Sequence, residues 1–305
     1  MKPGVSVVIP TYNRPDCIRR CLDALSRQTL WSGTFEVIVV DDGSPRPLEL
    51  DPAEWAYAFP LCVIRQDNSG PAGARNRGAE AARGKILAFT DDDCLPTPGW
   101  LENIIAPLSE QPEALIGGNT FNGLEDDLWA EASQLIITMA YDHFNVDPAR
   151  ARFFTSNNVS CCRDIYQASG GFDVDFVVAS EDREFCDRWR MLRRPLLWVQ
   201  DARLEHRHAQ TICKFIHLHF RYGQGAYLYQ AKRQERNSGT MGENLAFHRT
   251  LFWRVSRKLS TYSMSVRLTI TVMIIIWQIA NAAGFFWQAV IGVVGGSRQR
   301  CGSAA

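Results

Sequence analysis

Four short apolar runs near the start of the chain each close on a cluster of polar side chains, and this repeated arrangement constrains the fold more than any other feature. Val5-Ser6-Val7-Val8-Ile9 is stopped by Pro10 and leads into Thr11-Tyr12-Asn13-Arg14. Phe35 to Val40 ends in Asp41-Asp42-Gly43-Ser44, Leu61 to Ile64 leads to Asp67-Asn68-Ser69-Gly70, and Lys85 to Thr90 ends in Asp91-Asp92-Asp93. Apolar runs of this length without alternation read as strands buried on both faces. Between them, Ile18, Cys21, Leu22 and Leu25 recur at helical spacing behind Pro15, and small residues from Ala72 to Ala82 predict a closely packing helix. Strands joined by helical crossovers predict a parallel sheet covered on both sides. Ligands of such sheets bind beyond the carboxyl ends of the strands, where all four polar clusters fall. The turn preference of Asp, Asn and Gly accounts for one such end easily and for four with difficulty. Further helices are predicted from Trp129 to Asn145 and from Cys213 to Lys232.

Three consecutive aspartates at a strand end repel one another unless a cation intervenes. A hard divalent ion, Mg²⁺ or Mn²⁺, is the natural partner, and such ions are commonly shared with substrate phosphates. Alternation of side-chain direction predicts Asp91 and Asp93 on one side and Asp92 on the other. A solvated acidic loop is the competing reading of the cluster taken alone.

Together these strings resemble the glycosyltransferase family 2 proteins of GT-A fold. Ser6 to Arg14 looks like their opening strand and nucleotide loop, and Val39-Val40-Asp41-Asp42-Gly43-Ser44 like their second strand end. The segment from Asn68 through Ala74-Arg75-Asn76 to Gly78 is similar to the helix start after their third strand, and Thr90 to Asp93 to their Asp-x-Asp metal site. Gly170-Gly171-Phe172-Asp173 followed by Glu181-Asp182 resembles the acceptor-side segment. The resemblance covers about residues 5 to 225 and implies an α/β fold of the nucleotide-diphospho-sugar transferase type, a mostly parallel sheet flanked by helices.

The resemblance also implies roles. Pro10, Thr11, Tyr12, Asn13, Arg14, Asn68, Arg75, Asp91 and Asp92 would line the nucleotide pocket, with Asp41 or Asp42 meeting the base. Asp93, with Asp91, would hold a divalent cation bridging the diphosphate, and His206 and His208 match a strand end at which a histidine can approach the metal. Two alternating histidines can equally be a polar strand. Asp182, beside Glu181, would take the proton from the acceptor hydroxyl, and a single displacement inverts the anomeric centre. The Gln-x-x-Arg-Trp signature of processive synthases is absent from its place, Arg188-Trp189 lying too close to Asp182, so one sugar at a time is expected. Asn157 and Asn158 satisfy backbone in a turn or touch the acceptor; His143, His217, His219 and His248 read as structural or surface residues.

Composition bears on partners. Of 305 residues, 33 are basic and 33 acidic, which argues against a broad basic surface for nucleic acid. Nine cysteines without a Cys-x-x-Cys pair fit no disulfide framework or zinc ribbon and read as thiols in a reducing compartment. The run Val5 to Ile9 is too short for a secretory leader, so the catalytic part is expected in the cytosol. From Leu268 to Val294 there are 27 residues without a charge. As a helix this is ~40 Å, against a ~30 Å hydrocarbon core. Thr269, Thr271, Gln278, Asn281 and Gln288 dilute it, which leaves open a span, an interfacial helix and a helix buried against protein. Arg249, Arg254, Arg257, Lys258 and Arg267 precede it and only Arg298 and Arg300 follow, an asymmetry that places the catalytic domain on the cytoplasmic side.

The expected organisation is a catalytic domain over 1–212, a membrane-proximal helical region over 213–265 and an apolar segment with a short tail over 266–305. The expected activity is metal-assisted transfer from a nucleotide-diphosphate sugar to a saccharide or lipid-linked acceptor, in cell-surface polysaccharide or glycolipid assembly. A non-catalytic membrane-tethered nucleotide-sugar-binding protein and a nucleotidyltransferase on a similar sheet are the alternatives. The loop after the first strand holds no glycine, which argues against a dinucleotide-binding oxidoreductase, and no Gly-Lys-Ser/Thr follows it.

Overall fold

A computed structural model of the chain describes residues 3–49, 57–124, 126–177, 179–239 and 241–302. Two units are distinguished: Met1–Glu125 with Tyr141–Val177 and Glu181–His208, and Asp126–Ala140 with Val178–Ser180 and Ala209–Ala305. The segments expected as separate, 213–265 and 266–305, therefore lie in one unit, together with a helical stretch from the middle of the chain.

The first unit runs β1 (Val5–Thr11), α1 (Pro15–Leu25), β2 (Phe35–Asp41), β3 (Leu61–Arg65), α2 (Gly70–Ala81), β4 (Ile86–Thr90), β5 (Cys94–Pro96), α3 (Trp100–Glu110) and β6 (Leu115–Asn122). Helix α4 (Leu128–Phe144), most of which belongs to the second unit, follows in the chain, then β7 (Asn158–Cys162), α5 (Arg163–Ala168), α6 (Glu181–Met191) and β8 (Leu196–His206). The eight strands form one sheet in the order β3-β2-β1-β4-β7-β6-β8-β5. Its first four strands are parallel, as the crossover pattern predicts. The other half is mixed. Strand β7 runs antiparallel to both β4 and β6, β6 and β8 are parallel, and β5 is antiparallel to β8. Only three residues separate β4 from β5, too few for the crossover that a parallel neighbour needs, so the chain leaves for the far edge.

Strand β2 is buried throughout and β1 nearly so, as central strands covered on both faces must be. Ile18, Cys21, Leu22 and Leu25 of α1 are buried with Val5, Val7, Ile9, Phe35, Val37 and Trp100 in the main core. Helix α2 presses directly on the sheet. A Cβ on Gly78 would stand 2.4 Å from Val8 Cγ1 and 3.2 Å from Val40 Cγ2. This contact explains the small residues of that helix. Its first turn is capped from another element: the Asp42 carboxylate accepts from the N–H groups of Ser69 and Gly70, both at 2.9 Å.

The second unit contains α7 (Ile212–Glu235), α8 (Met241–Lys258) and α9 (Met264–Gly302). Gly78→Ala is expected to lower stability by about 1–3 kcal/mol in urea unfolding, because overpacking against the stiff Val8 outweighs the better helix propensity of alanine.

Candidate active site

The polar strand ends of the first unit meet. Thr11, the last residue of β1, donates to Asp92 Oδ2 at 2.7 Å. Tyr12 is exposed, while Asn13 takes a left-handed conformation at φ 55°, which asparagine tolerates, and its N–H donates to Ser44 Oγ at 2.8 Å. Arg14 then reaches back with one nitrogen to Asp92 Oδ1 at 3.2 Å and Asp93 Oδ2 at 2.9 Å. At the end of β2, Asp41 accepts from Ser44 N, Leu48 N and Arg65 Nη1 at 3.0, 3.2 and 2.8 Å. Burial opposes its charge, but these hydrogen bonds and the Arg65 guanidinium hold it below the usual aspartate range. Asp42 takes Gln66 Nε2 at 2.7 Å besides capping α2, and its carbonyl accepts from Asn68 Nδ2 at 2.9 Å. Both aspartates thus brace the loop and the helix start.

The three aspartates after β4 do not alternate. Asp92 and Asp93 share Arg14, whereas Asp91 turns the other way and takes Arg75 Nη2 at 2.5 Å. The expectation that Asp91 and Asp93 share a side fails because β4 ends at Thr90, so residues 91–93 follow a turn rather than the pleat. Burial and the charge of Asp93 push Asp92 up to about 7 despite Arg14 and Thr11.

Antiparallel pairing of β5 with β8 sets Cys94 opposite His206, and Arg207 N donates to Asp93 O at 2.8 Å. His206 and His208, two residues apart on an extended stretch, consequently both turn onto Asp93: His206 Nε2 lies 3.3 Å from Oδ1, and His208 Nδ1 lies 3.0 Å from Oδ2. Burial disfavours the charge on Asp93, yet the two histidines hold it well below the usual range; burial likewise disfavours a charged His206, and the Asp93 carboxylate outweighs it and raises that histidine. One oxygen and two imidazole nitrogens lie within 4.8 Å of one another. This mixed donor set fits a divalent first-row ion such as Mn²⁺, and Asp91 lies outside it.

On the other side stands the start of α6. Ser180 precedes it at φ 76°. Glu181 is buried and accepts from Arg75 Nη1 and Ser156 Oγ, each at 3.1 Å. Arg75 is itself buried and joins Asp91 to Glu181. Asp182 is partly buried, and its bond among the described residues is from Arg183 N at 2.7 Å. Burial and the neighbouring Glu181 push it up to about 7.

The turn before α6 is pinned by Asn76. Its amide donates to Phe172 O at 2.8 Å, and its oxygen accepts from Phe172 N at 2.9 Å and Tyr166 Oη at 2.5 Å. Gly171 adopts φ 66°, and a Cβ there would stand 2.7 Å from Asn76 Oδ1. Arg188 donates to the carbonyls of Ser169 and Gly171, while Trp189 is buried with Nε1 3.1 Å from Glu113 O. Asn158 is a crosspiece on β7, not a turn residue: it takes Trp100 Nε1 and donates to Asn119 O and Ala202 O. Asn157 turns to Thr155 and Cys94. His219 is buried edge-on to Phe215, His248 meets Gln278, His143 stacks edge-on with Phe144, and His217 is exposed. Ser156 was not among the expected site residues, since a lone serine in an aperiodic loop carries no sequence signal.

Solved structures of similar fold define its fold class. The mannosyltransferase PcManGT of Pyrobaculum calidifontis, in complex with GDP-Man and Mn²⁺, matches with a TM-score of 0.65 over 94% of this chain and 88% of that one, at 20% identity. TarS of S. aureus matches with a TM-score of 0.53 over 93% and 54%, at 18% identity. The fold is therefore that of the GT-A glycosyltransferases. The model of glycosyl transferase family 2 matches residues 6–199, well over half of the chain, and the chain belongs to that family. Among curated relatives, the glycosyltransferase AglE of Haloferax volcanii is 39% identical over 119 residues, 38% of this chain and 39% of that protein. The pre-mycofactocin glycosyltransferase of Mycobacterium tuberculosis is 29% identical over 192 residues, 62% of this chain. The matched stretch spans about two fifths of the length of each of these relatives.

Asn76→Ala leaves both polar groups of Phe172 without their side-chain partner and is expected to cost about 2–3 kcal/mol in urea unfolding. Arg77→Ala, exposed on the same helix, should change the midpoint by less than about 0.5 kcal/mol.

Proposed function

We propose that this chain moves one sugar from a nucleoside-diphosphate sugar to an acceptor hydroxyl with inversion, using Asp182 as general base. The observation that carries this is the contrast between two adjacent carboxylates: Glu181 is engaged by Arg75 and Ser156, while Asp182 is lightly bonded and pushed up to about 7. A carboxylate with that affinity for a proton, at an edge that also bears Asp93, His206 and His208, is matched to deprotonating an alcohol near neutral pH. Asp182 receives the acceptor proton as the acceptor oxygen bonds to the anomeric carbon. The bond to the diphosphate breaks, and the nucleoside diphosphate leaves with the electron pair. Glu181 acts as a positioning residue through Arg75.

Asp93, His206 and His208 would hold the divalent cation, with Asp91 kept near by Arg75. Such an ion supplies Lewis acidity toward the departing diphosphate. Pro10 to Arg14, Asp92, Asn68 and Arg75 frame the nucleotide pocket, and Asp41 or Asp42 meets the base. The neighbours carry GDP-Man in PcManGT and UDP in TarS, so both nucleotides are reasonable donor carriers to test.

The acceptor is a saccharide or a lipid-linked glycan precursor, in cell-surface polysaccharide or glycolipid assembly. Residues 1–212 form the catalytic part, 213–265 a membrane-proximal region and 266–305 the membrane segment, with catalysis on the cytoplasmic side. The stretch Met264–Ile291 is long and apolar enough to meet a membrane, which supports this placement.

Calorimetric titration with UDP, GDP and dTDP, with and without Mn²⁺, tests the donor site. Metal-dependent binding of one nucleotide, weakened at least about tenfold in Asp93→Ala, is the expected result. Failure of the folded protein to bind any of them overturns the proposal. Asp182→Asn should keep nucleotide binding and lose turnover by about 10²–10⁴-fold. If that variant turns over normally, Asp182 is not the base; a wild-type protein that binds nucleotide without turnover is a non-catalytic binder. In the wild type, turnover should fall about tenfold per unit as pH drops below about 7, because only the ionised carboxylate accepts the proton. The same raised pKa means that folding favours the neutral form, so this group destabilises the protein as pH rises from the ordinary aspartate range to about 7. Asp182→Asn escapes that effect and should melt no lower than wild type at pH 8.

A further inference from the structure

We propose that α9 lies in the plane of an anionic membrane surface, its exposed stripe sunk at the level of the lipid headgroups, instead of crossing the bilayer. This rests on the membrane reading given above and specifies its geometry.

The apolar character of α9 is one-sided. Leu268, Val272, Ile275, Ile279, Phe286 and Val290 are 43–67% exposed and recur along one face. The opposite face, with Ile270, Met273, Ile274, Trp277 and Ala280, is buried. The polar residues that dilute the segment turn inward or onto their own backbone. Gln278 meets His248 Nδ1 at 3.1 Å, Asn281 donates to His219 O at 3.5 Å, Gln288 accepts from Gln224 at 3.4 Å, and Thr269 and Thr271 bond to carbonyls one turn earlier. The outer face is left apolar, as immersion in lipid requires.

The neighbour on the inner side decides against a span. Helix α7 runs parallel to α9, with His219 facing Trp277, Gln224 facing Gln288 and Tyr227 facing Phe285. The two backbones nearly touch: a Cβ on Gly223 would stand 2.0 Å from Asn281 O, and one on Gly284 1.9 Å from Phe220 O. This contact falls in the middle of the apolar stretch. Arg221 falls between Phe220 and Gly223 in the sequence of α7, and Lys214, Lys232, Arg233 and Glu235 lie elsewhere on the same helix. A bilayer-crossing α9 would carry these charges into hydrocarbon with it. An in-plane α9 leaves α7 on the aqueous side.

Charge names the surface. Helix α8 folds back beside the first half of α9, His248 stacking on Trp277. Its exposed stripe includes Arg249, Trp253 and Arg257, with the Arg257 guanidinium 5.7 Å over the Trp253 ring. After Glu243 the chain carries no further Asp or Glu, while Arg249, Arg254, Arg257, Lys258 and Arg267 follow. Basic and aromatic residues beside an apolar stripe suit anionic headgroups.

The test uses the full chain, tagged at each end, with vesicles of phosphatidylcholine alone or of three parts phosphatidylcholine to one part phosphatidylglycerol. The protein should float with the anionic vesicles at least about tenfold better than with the neutral ones, and leave them in alkaline carbonate. Ile279→Glu and, separately, Trp287→Glu, both at exposed positions, should reduce flotation about tenfold while nucleotide binding and melting temperature stay unchanged. Arg254→Glu with Arg257→Glu should erase the preference for anionic vesicles. Resistance to carbonate, with the two tags on opposite faces of sealed vesicles, would overturn the in-plane geometry and leave membrane attachment standing. Failure to float with either vesicle would overturn both.

Discussion

The buried guanidinium of Arg75 is the interaction on which the rest of the site depends. A charge with so little exposure is tolerable only when it is paired and hydrogen-bonded, and here two carboxylates from opposite sides meet one planar fork. One belongs to the turn after β4 and the other to the first residue of α6. Losing any of the three would leave charge uncompensated in the interior. The arrangement therefore ties the acidic strand end to the start of α6, where the candidate base follows Glu181. Glu181 is already engaged, so its neighbour is the one left lightly bonded.

The fold was legible in the sequence where chemistry is local. Four apolar runs, each ending in polar residues, led to the parallel half of the sheet, and the small residues after Gly70 led to a helix pressed on Val8 and Val40. What could not be read was register between distant segments. Nothing near Cys94 announces that β5 pairs with β8, yet that pairing brings His206 and His208 onto Asp93. Side-chain direction at residues 91–93 was misjudged because alternation holds only while a strand lasts. Arg75 was identified as a site residue, but its burial between two carboxylates depends on segments far away in the chain. Asp41 or Asp42 was read as the contact to the base; the structure shows both bracing the loop and the helix start.

The second unit shows how composition can mislead about a helix taken alone. Thr, Gln and Asn within the long apolar run of α9 look like dilution of a membrane signal. In the structure, several of them join α9 to α7 and α8, and Gly223 and Gly284 let α7 and α9 approach at backbone distance. Much of the polarity in this segment serves helix association and leaves an apolar stripe on the outer surface.

The pairing of β5 with β8 has a further consequence for how the molecule is made. His208 and Asp93 are 115 residues apart in the chain, so their encounter closes a long loop at an entropic cost. A nascent or truncated chain ending before β8 contains all three aspartates of the acidic turn and neither histidine. Any ion that needs carboxylate and imidazole together would discriminate finished molecules from partial ones, and by mass action its binding would stabilise only the former.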